Sequence, residues 1–278
     1  MWLKARLGGG EEFAAVRSHL RGSGLHTVCE EALCPNLGDC WNRGTATFLV
    51  LGGVCTRHCL FCAVRSGCSG ETIDPSEPEK IACSVKRFGL RYVVLTSVDR
   101  DDLPDFGAGH FASCISEIKK SRGAKVEALI PDFSGDIGSL RRIVEAGPDV
   151  IGHNIEVVER LQGTVRDARA SYRQSLGVLA NVKKLCSGIL TKSSIMLGLG
   201  ETKEEVLQAM RDLLGAGCDF LTIGQYLQPS KRNIPVQRFV TPAEFEEYRE
   251  IALQMGFRGV ESGPLVRSSY RAEKALGF

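Results

Sequence analysis

No apolar run in this sequence is long enough to cross a bilayer. Stretches such as Phe48–Val54 fall far short of the ~20 residues required. The N-terminus also lacks the apolar core of a secretory signal, so the eleven cysteines are expected to work in a reducing, cytoplasmic compartment, where thiolates serve metals more readily than disulfides. Charge of one sign is missing too. With 35 Lys+Arg against 33 Asp+Glu the net charge is +2, which gives no electrostatic reason to expect nucleic acid or a membrane as a partner. The pairs Lys119-Lys120, Arg141-Arg142, Lys183-Lys184 and Lys231-Arg232 read as solvated helix faces and loop tips. No internal repeat, low-complexity tract or disordered linker is present. What remains is 278 residues, 43% hydrophobic and 24% charged, enough for one large α/β domain with extensions.

From residue 46 onward the chain alternates strands and helices. Ala46–Leu51, Tyr92–Thr96, Val126–Ile130, Asp149–His153, Ser193–Leu197 and Asp219–Gly224 are short and nearly continuously apolar, as expected of strands covered by helices on both faces. Helical periodicity runs through Pro78–Phe88, Gly109–Ser121, Ile137–Ala146, Ala170–Ser187 and Glu204–Leu214. Before them, Glu11–Arg21 reads as a helix with Phe13, Val16 and Leu20 on one face. After them, Thr241-Pro242-Ala243-Glu244 is a capping box with Gly256 as the stop. Six strand–helix units fall short of the eight of a full barrel of about 250 residues, so the expected architecture is an open, partial (β/α)6 barrel of parallel strands with N- and C-terminal extensions. A doubly wound open sheet is the alternative that spacing does not distinguish.

Six of the cysteines fall into two triplets, Cys29-x4-Cys34-x5-Cys40 and, fifteen residues on, Cys55-x3-Cys59-x2-Cys62. Each is one thiolate short of the four that fill a [4Fe–4S] cluster, which leaves one iron open to a substrate or to an unusual ligand. A structural zinc site is the plainer alternative for the second triplet. Zinc ordinarily takes four ligands, commonly as paired C-x2-C halves, and only Cys59 and Cys62 have that spacing, with His58 as the extra ligand on offer. For the first triplet the alternative is a ferredoxin-like electron-transfer cluster, although an electron carrier needs no α/β domain of this size. Cys68, Cys83, Cys114, Cys186 and Cys218 show no ligand spacing. Cys83, Cys114 and Cys186 are expected to be small buried residues of helices, and Cys68 to sit in an exposed loop.

Cys55-x3-Cys59-x2-Cys62, with Phe61 before the last cysteine, resembles the signature of the radical S-adenosylmethionine (radical SAM) enzymes. The resemblance implies that the open iron is chelated by S-adenosylmethionine, whose reductive cleavage releases a 5′-deoxyadenosyl radical. Polar groups follow at later strand ends: Thr96-Ser97 with Asp99, Asp101 and Asp102, then His153-Asn154-Ile155-Glu156. The stretch Ile195–Glu201 is similar to the superfamily's glycine-rich adenosine-contacting strand. Carried over, the cofactor contacts are Phe61, Thr96, Ser97, Asn154, Glu156 and Arg169, with Asn154 and Glu156 on the ribose hydroxyls.

The first triplet narrows the resemblance. Together with Thr96–Asp102, Tyr226-Leu227-Gln228-Pro229-Ser230 and Arg267-Ser268-Ser269-Tyr270, it makes the chain similar to the lipoyl synthase family, from Trp2-Leu3-Lys4 nearly to the C-terminus. One departure is visible: Asn233 and Ile234 stand where histidine and leucine are expected. The family resemblance implies a second [4Fe–4S] cluster held by Cys29, Cys34, Cys40 and Ser269, with Ser268 as the alternative. Serine oxygen is a hard ligand for iron in such clusters, a weak corner suited to a cluster dismantled as the sulfur source. It also implies sulfur insertion at C6 and C8 of an octanoyl chain on a carrier lysine. The expected partners are octanoylated carrier domains (2-oxoacid dehydrogenase E2 subunits, glycine cleavage H protein), a flavodoxin or ferredoxin reductant and an iron–sulfur carrier protein. Biotin synthase, a rival within radical sulfur insertion, lacks the first triplet. Domain boundaries are expected at 1–44, 45–230 and 231–278.

Overall fold

The computed structural model of the chain describes residues 11–31, 34, 36, 47–120 and 123–269. Trp2-Leu3-Lys4, Cys40 and Tyr270 lie outside the described residues, as do the side chains of Phe13 and Val16. Strands and helices alternate as the hydrophobic pattern requires. The strands are β1 (His26–Thr27), β2 (Thr47–Val50), β3 (Val54–Cys55), β4 (Arg65–Ser66), β5 (Tyr92–Ser97), β6 (Lys125–Leu129), β7 (Val150–Gly152), β8 (Leu190–Leu197), β9 (Phe220–Gln225) and β10 (Gly259–Gly263). All six expected strands form, within three residues of the expected ends. The expected helices form as Glu11–Gly22, Glu77–Arg87, Ala108–Lys120, Ile137–Glu145, Tyr172–Leu185, Lys203–Gly215 and Pro242–Met255. Among the described residues no helix is long and apolar enough to cross a membrane.

Two compact units divide the chain. One is built from described residues within 5–57 and 63–150, the other from 58–62 and from 151 onward. In the first unit β2 pairs parallel with β5, and β5 parallel with β6; Thr47 faces Val94 and Val94 faces Glu127. β1 adds antiparallel to β2. β3 and β4 form a separate two-stranded ribbon. Val93 and Leu95 of β5 and Val126 of β6 are fully buried, and the helix Ala108–Lys120 contributes Phe111, Cys114, Ile115 and Ile118 to the core.

In the second unit β8, β9 and β10 run parallel in that order. Their core gathers Ile195, Leu197, Leu221 and Ile223 from strands with Val206, Met210 and Leu213 from the helix Lys203–Gly215. That helix starts at a capping box in which Thr202 and Glu205 satisfy each other's backbone N–H groups; Thr241 and Glu244 do the same for Pro242–Met255, which stops at Gly256 in the left-handed region (φ 115). β1 pairs only with β2 and β10 only with β9, so the strand ladder is open among the described residues. This agrees with the expected partial barrel.

Two expectations need correction, and one strand was not expected at all. Gly259–Gly263 adds a parallel strand to β9. Its alternation is diluted by two glycines and a serine, which hid it in the sequence. Cys83 is exposed and Cys186 is half-buried. The helix Glu77–Arg87 buries Glu77, Pro78, Ile81, Ser84 and Val85, and Cys83 falls off that stripe. Lys183 is not a solvated charge: its Nζ donates to Ile189 O at 2.8 Å and Asp219 Oδ2 at 2.6 Å.

Candidate functional site

Of the second cysteine triplet, Cys55 belongs to the first unit and Cys59 and Cys62 to the second. In the first unit β2 is followed by Leu51, whose φ of 71 turns the chain sharply into Gly52-Gly53 and Cys55. The strained turn is tied down by the Leu51 N–H donating to Glu77 Oε2 at 3.1 Å and by Arg100 Nη1 donating to Leu51 O at 3.2 Å. His110 Nε2 braces the same Glu77 oxygen at 2.7 Å, and Cys114 lies beside the pair. This trio needs no ion to account for it: Glu77 has two hydrogen bonds, and burial pushes the Cys114 thiol pKa upward.

Cys55 lies in β3 and is half-buried. Its Sγ accepts the Arg57 N–H at 3.4 Å, and its thiol donates to Asp99 Oδ2 at 3.8 Å. The Arg57 side chain is buried, 3% exposed, and enclosed by acid. Nε and Nη2 fork onto Asp101 at 3.0 and 2.9 Å, while Nη1 and Nη2 fork onto Asp132 at 2.8 and 2.7 Å. Asp99 adds a 3.4 Å ion pair. Burial alone would lower the guanidinium pKa, but the hydrogen bonds to Asp132 and Asp101 and the nearby Asp99 outweigh it, so the net shift is upward. Thr56 completes the clamp, its hydroxyl donating to Asp99 O and Asp101 Oδ2 at 2.9 Å each. At the end of β5, Thr96 is buried, and Ser97 carries a buried hydroxyl with no protein hydrogen-bond partner among the described residues. A buried orphan hydroxyl suits a site awaiting a polar ligand.

In the second unit the stretch His58–Cys62 is held by several polar attachments. His58 N donates to Asp167 Oδ2 at 2.8 Å, Leu60 N to Val165 O at 2.9 Å, and Asp167 N to Cys59 Sγ at 3.3 Å. The Arg169 guanidinium, forked onto Asp167 at 2.8 and 3.0 Å, holds that carboxyl well below the usual carboxylate range. Phe61 packs against the unit's hydrophobic core, while Leu60 is 50% exposed. Past β7, Asn154 Nδ2 donates to Glu156 Oε1 at 3.0 Å. Glu156 sits in the left-handed region (φ 65) and its backbone bridges to β8 at Ile195. Burial pushes its carboxyl pKa up, with Arg166 and the Asn154 hydrogen bond opposing. A left-handed, non-glycine residue costs backbone strain that the surrounding structure must offset.

The turn after β8 is built by its own neighbours. Glu201 accepts from Gly198 N at 2.7 Å and Leu199 N at 2.9 Å, and a Cβ at Gly198 (φ 98) would stand 2.5 Å from Arg238 O. Gly224 in β9 is needed for the C-terminal segment, because a Cβ there would stand 2.2 Å from Val266 O. Val266 N closes a turn onto Gly263 O, which carries Arg267-Ser268-Ser269 beyond the C-terminal end of β10. Of the first triplet, Cys29 is buried in the short helix Val28–Glu31, and Cys34 is half-buried with its N–H on Cys29 O at 3.1 Å. Cys40 lies outside the described residues.

Sequence reading missed Arg57, Asp132, Asp167 and Asn233. Asp132 follows β6, so its place at a strand's C-terminal end was a usable signal; Asp167 comes from a loop with no local signature, and Asn233 stood out only as a departure from the expected histidine.

Residues 49–213 match the model of the Radical SAM superfamily. Solved structures agree at the level of fold. The FeFe-hydrogenase maturase HydG from Carboxydothermus hydrogenoformans superposes with a TM-score of 0.62 at 13% identity, over 76% of this chain and 52% of that one. Methylornithine synthase (PylB) does so with 0.58 at 16%, over 76% and 63%. The chain thus spans less than two thirds of either solved protein. Fold and cysteine loop together define the class, a radical SAM protein. Among curated proteins, lipoyl synthase of Halorhodospira halophila is 57% identical over 276 residues, covering 99% of this chain and 83% of that protein. Those of Thermus thermophilus and Pyrobaculum calidifontis are each 54% identical over 99% of the chain, covering 85% and 94% of theirs. The chain belongs to the lipoyl synthase family.

Proposed function

We propose that this protein is a radical SAM sulfur-inserting enzyme that adds two sulfur atoms, at C6 and C8, to an octanoyl chain amide-linked to a carrier lysine. The observation that carries the reading is 57% identity to a lipoyl synthase over 99% of the chain. Both cysteine triplets fall within it. When bound, a [4Fe–4S] cluster on Cys55, Cys59 and Cys62 with S-adenosylmethionine supplies a hydrogen-abstracting 5′-deoxyadenosyl radical, and a second cluster on Cys29, Cys34, Cys40 and Ser269 supplies sulfur.

The chain's own groups fit such occupants. Cys55 and Cys59 each accept a backbone N–H at sulfur, from Arg57 and Asp167. Such bonds favour the thiolate that metal ligation requires. Asp167 is itself fixed by Arg169, which makes Arg169 a support of the cysteine loop as well as a proposed cofactor contact. Phe61, Thr96, Ser97, Asn154 and Glu156 are the other proposed contacts. Residues 1–44 are assigned to the second cluster, 45–230 to the radical SAM core and 231–278 to the segment delivering Ser269. The substrate chain arrives on an E2 or glycine cleavage H carrier domain, with flavodoxin or ferredoxin as electron source and an iron–sulfur carrier protein restoring the spent cluster.

The test is anaerobic reconstitution, then mass spectrometry of an octanoyl-lysine peptide. Gain of two sulfurs with release of methionine and 5′-deoxyadenosine supports the reading; cleavage products with an unchanged peptide contradict it. Ser269 has its own expected outcome. Ser269→Ala abolishes or sharply reduces sulfur insertion while S-adenosylmethionine cleavage persists, and Ser269→Cys holds iron better but releases sulfur more slowly, since a soft ligand now secures the corner. Full activity in Ser269→Ala with inactive Ser268→Ala would move the ligand by one residue.

A further inference from the structure

The segment Tyr226–Ile234 folds into a braced loop, and its bracing converges on one side chain. Gln228 Nε2 donates to Asn233 O at 2.7 Å, Ser230 Oγ to Asn233 Oδ1 at 2.8 Å, and Tyr226 Oη to Ile234 O at 2.7 Å. With Oδ1 occupied, the amide of Asn233 is oriented and its nitrogen points one way. Nδ2 donates to Cys62 O at 2.8 Å and to Leu60 O at 3.2 Å, and the adjacent Ile234 N donates to Leu60 O at 3.1 Å. The two carbonyls flank Phe61, so one amide fixes the backbone on both sides of that residue and up to the last cysteine. The Leu60 side chain, half exposed, adds little apolar anchorage. The far side of the stretch is held by Val165 and Asp167, and this strap is what Tyr226–Ile234 adds on the near side.

We propose that Asn233 is a positioning residue for Cys62, and that the loop Tyr226–Ile234 is the strap that keeps the Cys59–Cys62 stretch in its ligating conformation. The proposal rests on the reading that Cys55, Cys59 and Cys62 hold the radical cluster. Its chemical content is the number of donors. An asparagine amide carries two N–H donors and serves two carbonyls at once, whereas neutral histidine, the family's expected residue here, carries one and aspartate carries none. Aspartate is the telling variant: it keeps the shape but sets a carboxylate against two carbonyl oxygens.

The experiment uses the full chain in a background with Cys29, Cys34 and Cys40 changed to alanine, so that only the radical cluster is counted. Iron release to a chelator is followed anaerobically, alongside the melting temperature and the change in the reduced cluster's electron paramagnetic resonance spectrum on adding S-adenosylmethionine. Asn233→Ala should release iron about tenfold faster, the order of effect expected from losing two ordinary hydrogen bonds. Asn233→Asp should release it faster still and Asn233→His at an intermediate rate, with melting temperatures close to the background's. A merely structural role would instead lower the melting temperature and rank the variants by size. Equal release rates in the background, Asn233→Ala and Asn233→Asp overturn the proposal. A background that takes up no iron before Asn233 is touched overturns the cluster assignment itself.

Discussion

Replacing Cys29, Cys34 and Cys40 by alanine leaves S-adenosylmethionine cleavage in place and removes the sulfur-bearing product entirely. The expectation follows from the separation of the two triplets. Cys55 and Cys59 receive their sulfur hydrogen bonds from Arg57 and Asp167, and none of those groups belongs to the first triplet. The proposed radical site therefore keeps its three cysteines and these two supports when the first triplet goes. Under reducing conditions the variant should still yield methionine and 5′-deoxyadenosine, and iron should fall from about eight per chain to about four. Removing Cys55, Cys59 and Cys62 should do the reverse and abolish cleavage. Product from the first-triplet variant would show that sulfur comes from elsewhere.

Arg57→Leu should be the most damaging single change outside the cysteines. It removes a guanidinium that pairs with Asp101, Asp132 and Asp99, with Asp132 wholly buried beside it. Breaking a buried pair by deleting one partner costs about 3–5 kcal/mol, and here the wholly buried Asp132 loses its forked guanidinium. Lysine should not rescue it, since a point ammonium cannot fork onto two carboxylates at once. Anaerobic denaturant unfolding should show a lowered midpoint in Arg57→Leu and Arg57→Lys. Partial recovery should follow when Asp101→Asn and Asp132→Asn accompany Arg57→Leu, because these remove the repelling charges. An unchanged midpoint in Arg57→Leu would mean that the clamp contributes nothing to holding the fold around Cys55.

Much of this was legible in the sequence where one element answers to its own local pattern. The nearly continuous apolar runs at Tyr92–Thr96 and Asp219–Gly224 announced doubly covered strands, and Thr241-Pro242-Ala243-Glu244 announced a helix start because capping is local chemistry. β10 was not legible, since Gly259–Gly263 becomes a strand through pairing with β9 and not through its own propensity. The same division holds at the site. Cysteine spacing is written along the chain. The partners of those cysteines are not: Asp167 reaches Cys59 from 108 residues away and Asn233 reaches Cys62 from 171. Asp132 reaches Arg57 across 75 residues. Such contacts depend on how loops close, which no periodicity reports. The left-handed turns at Leu51 and Glu156 were equally hidden, because neither residue type favours that conformation.

The central claim is that one cluster makes the radical and the other gives up its sulfur. Its most direct measurement is a single turnover of protein whose clusters were rebuilt with heavy-isotope sulfide, run without any other sulfur source and read by mass spectrometry of the octanoyl-lysine peptide. The account predicts heavy sulfur at both inserted positions, at most one product per chain, and a radical cluster still able to cleave S-adenosylmethionine afterwards. Product carrying only ordinary sulfur, or repeated turnover by a chain whose first cluster stays intact, would contradict it.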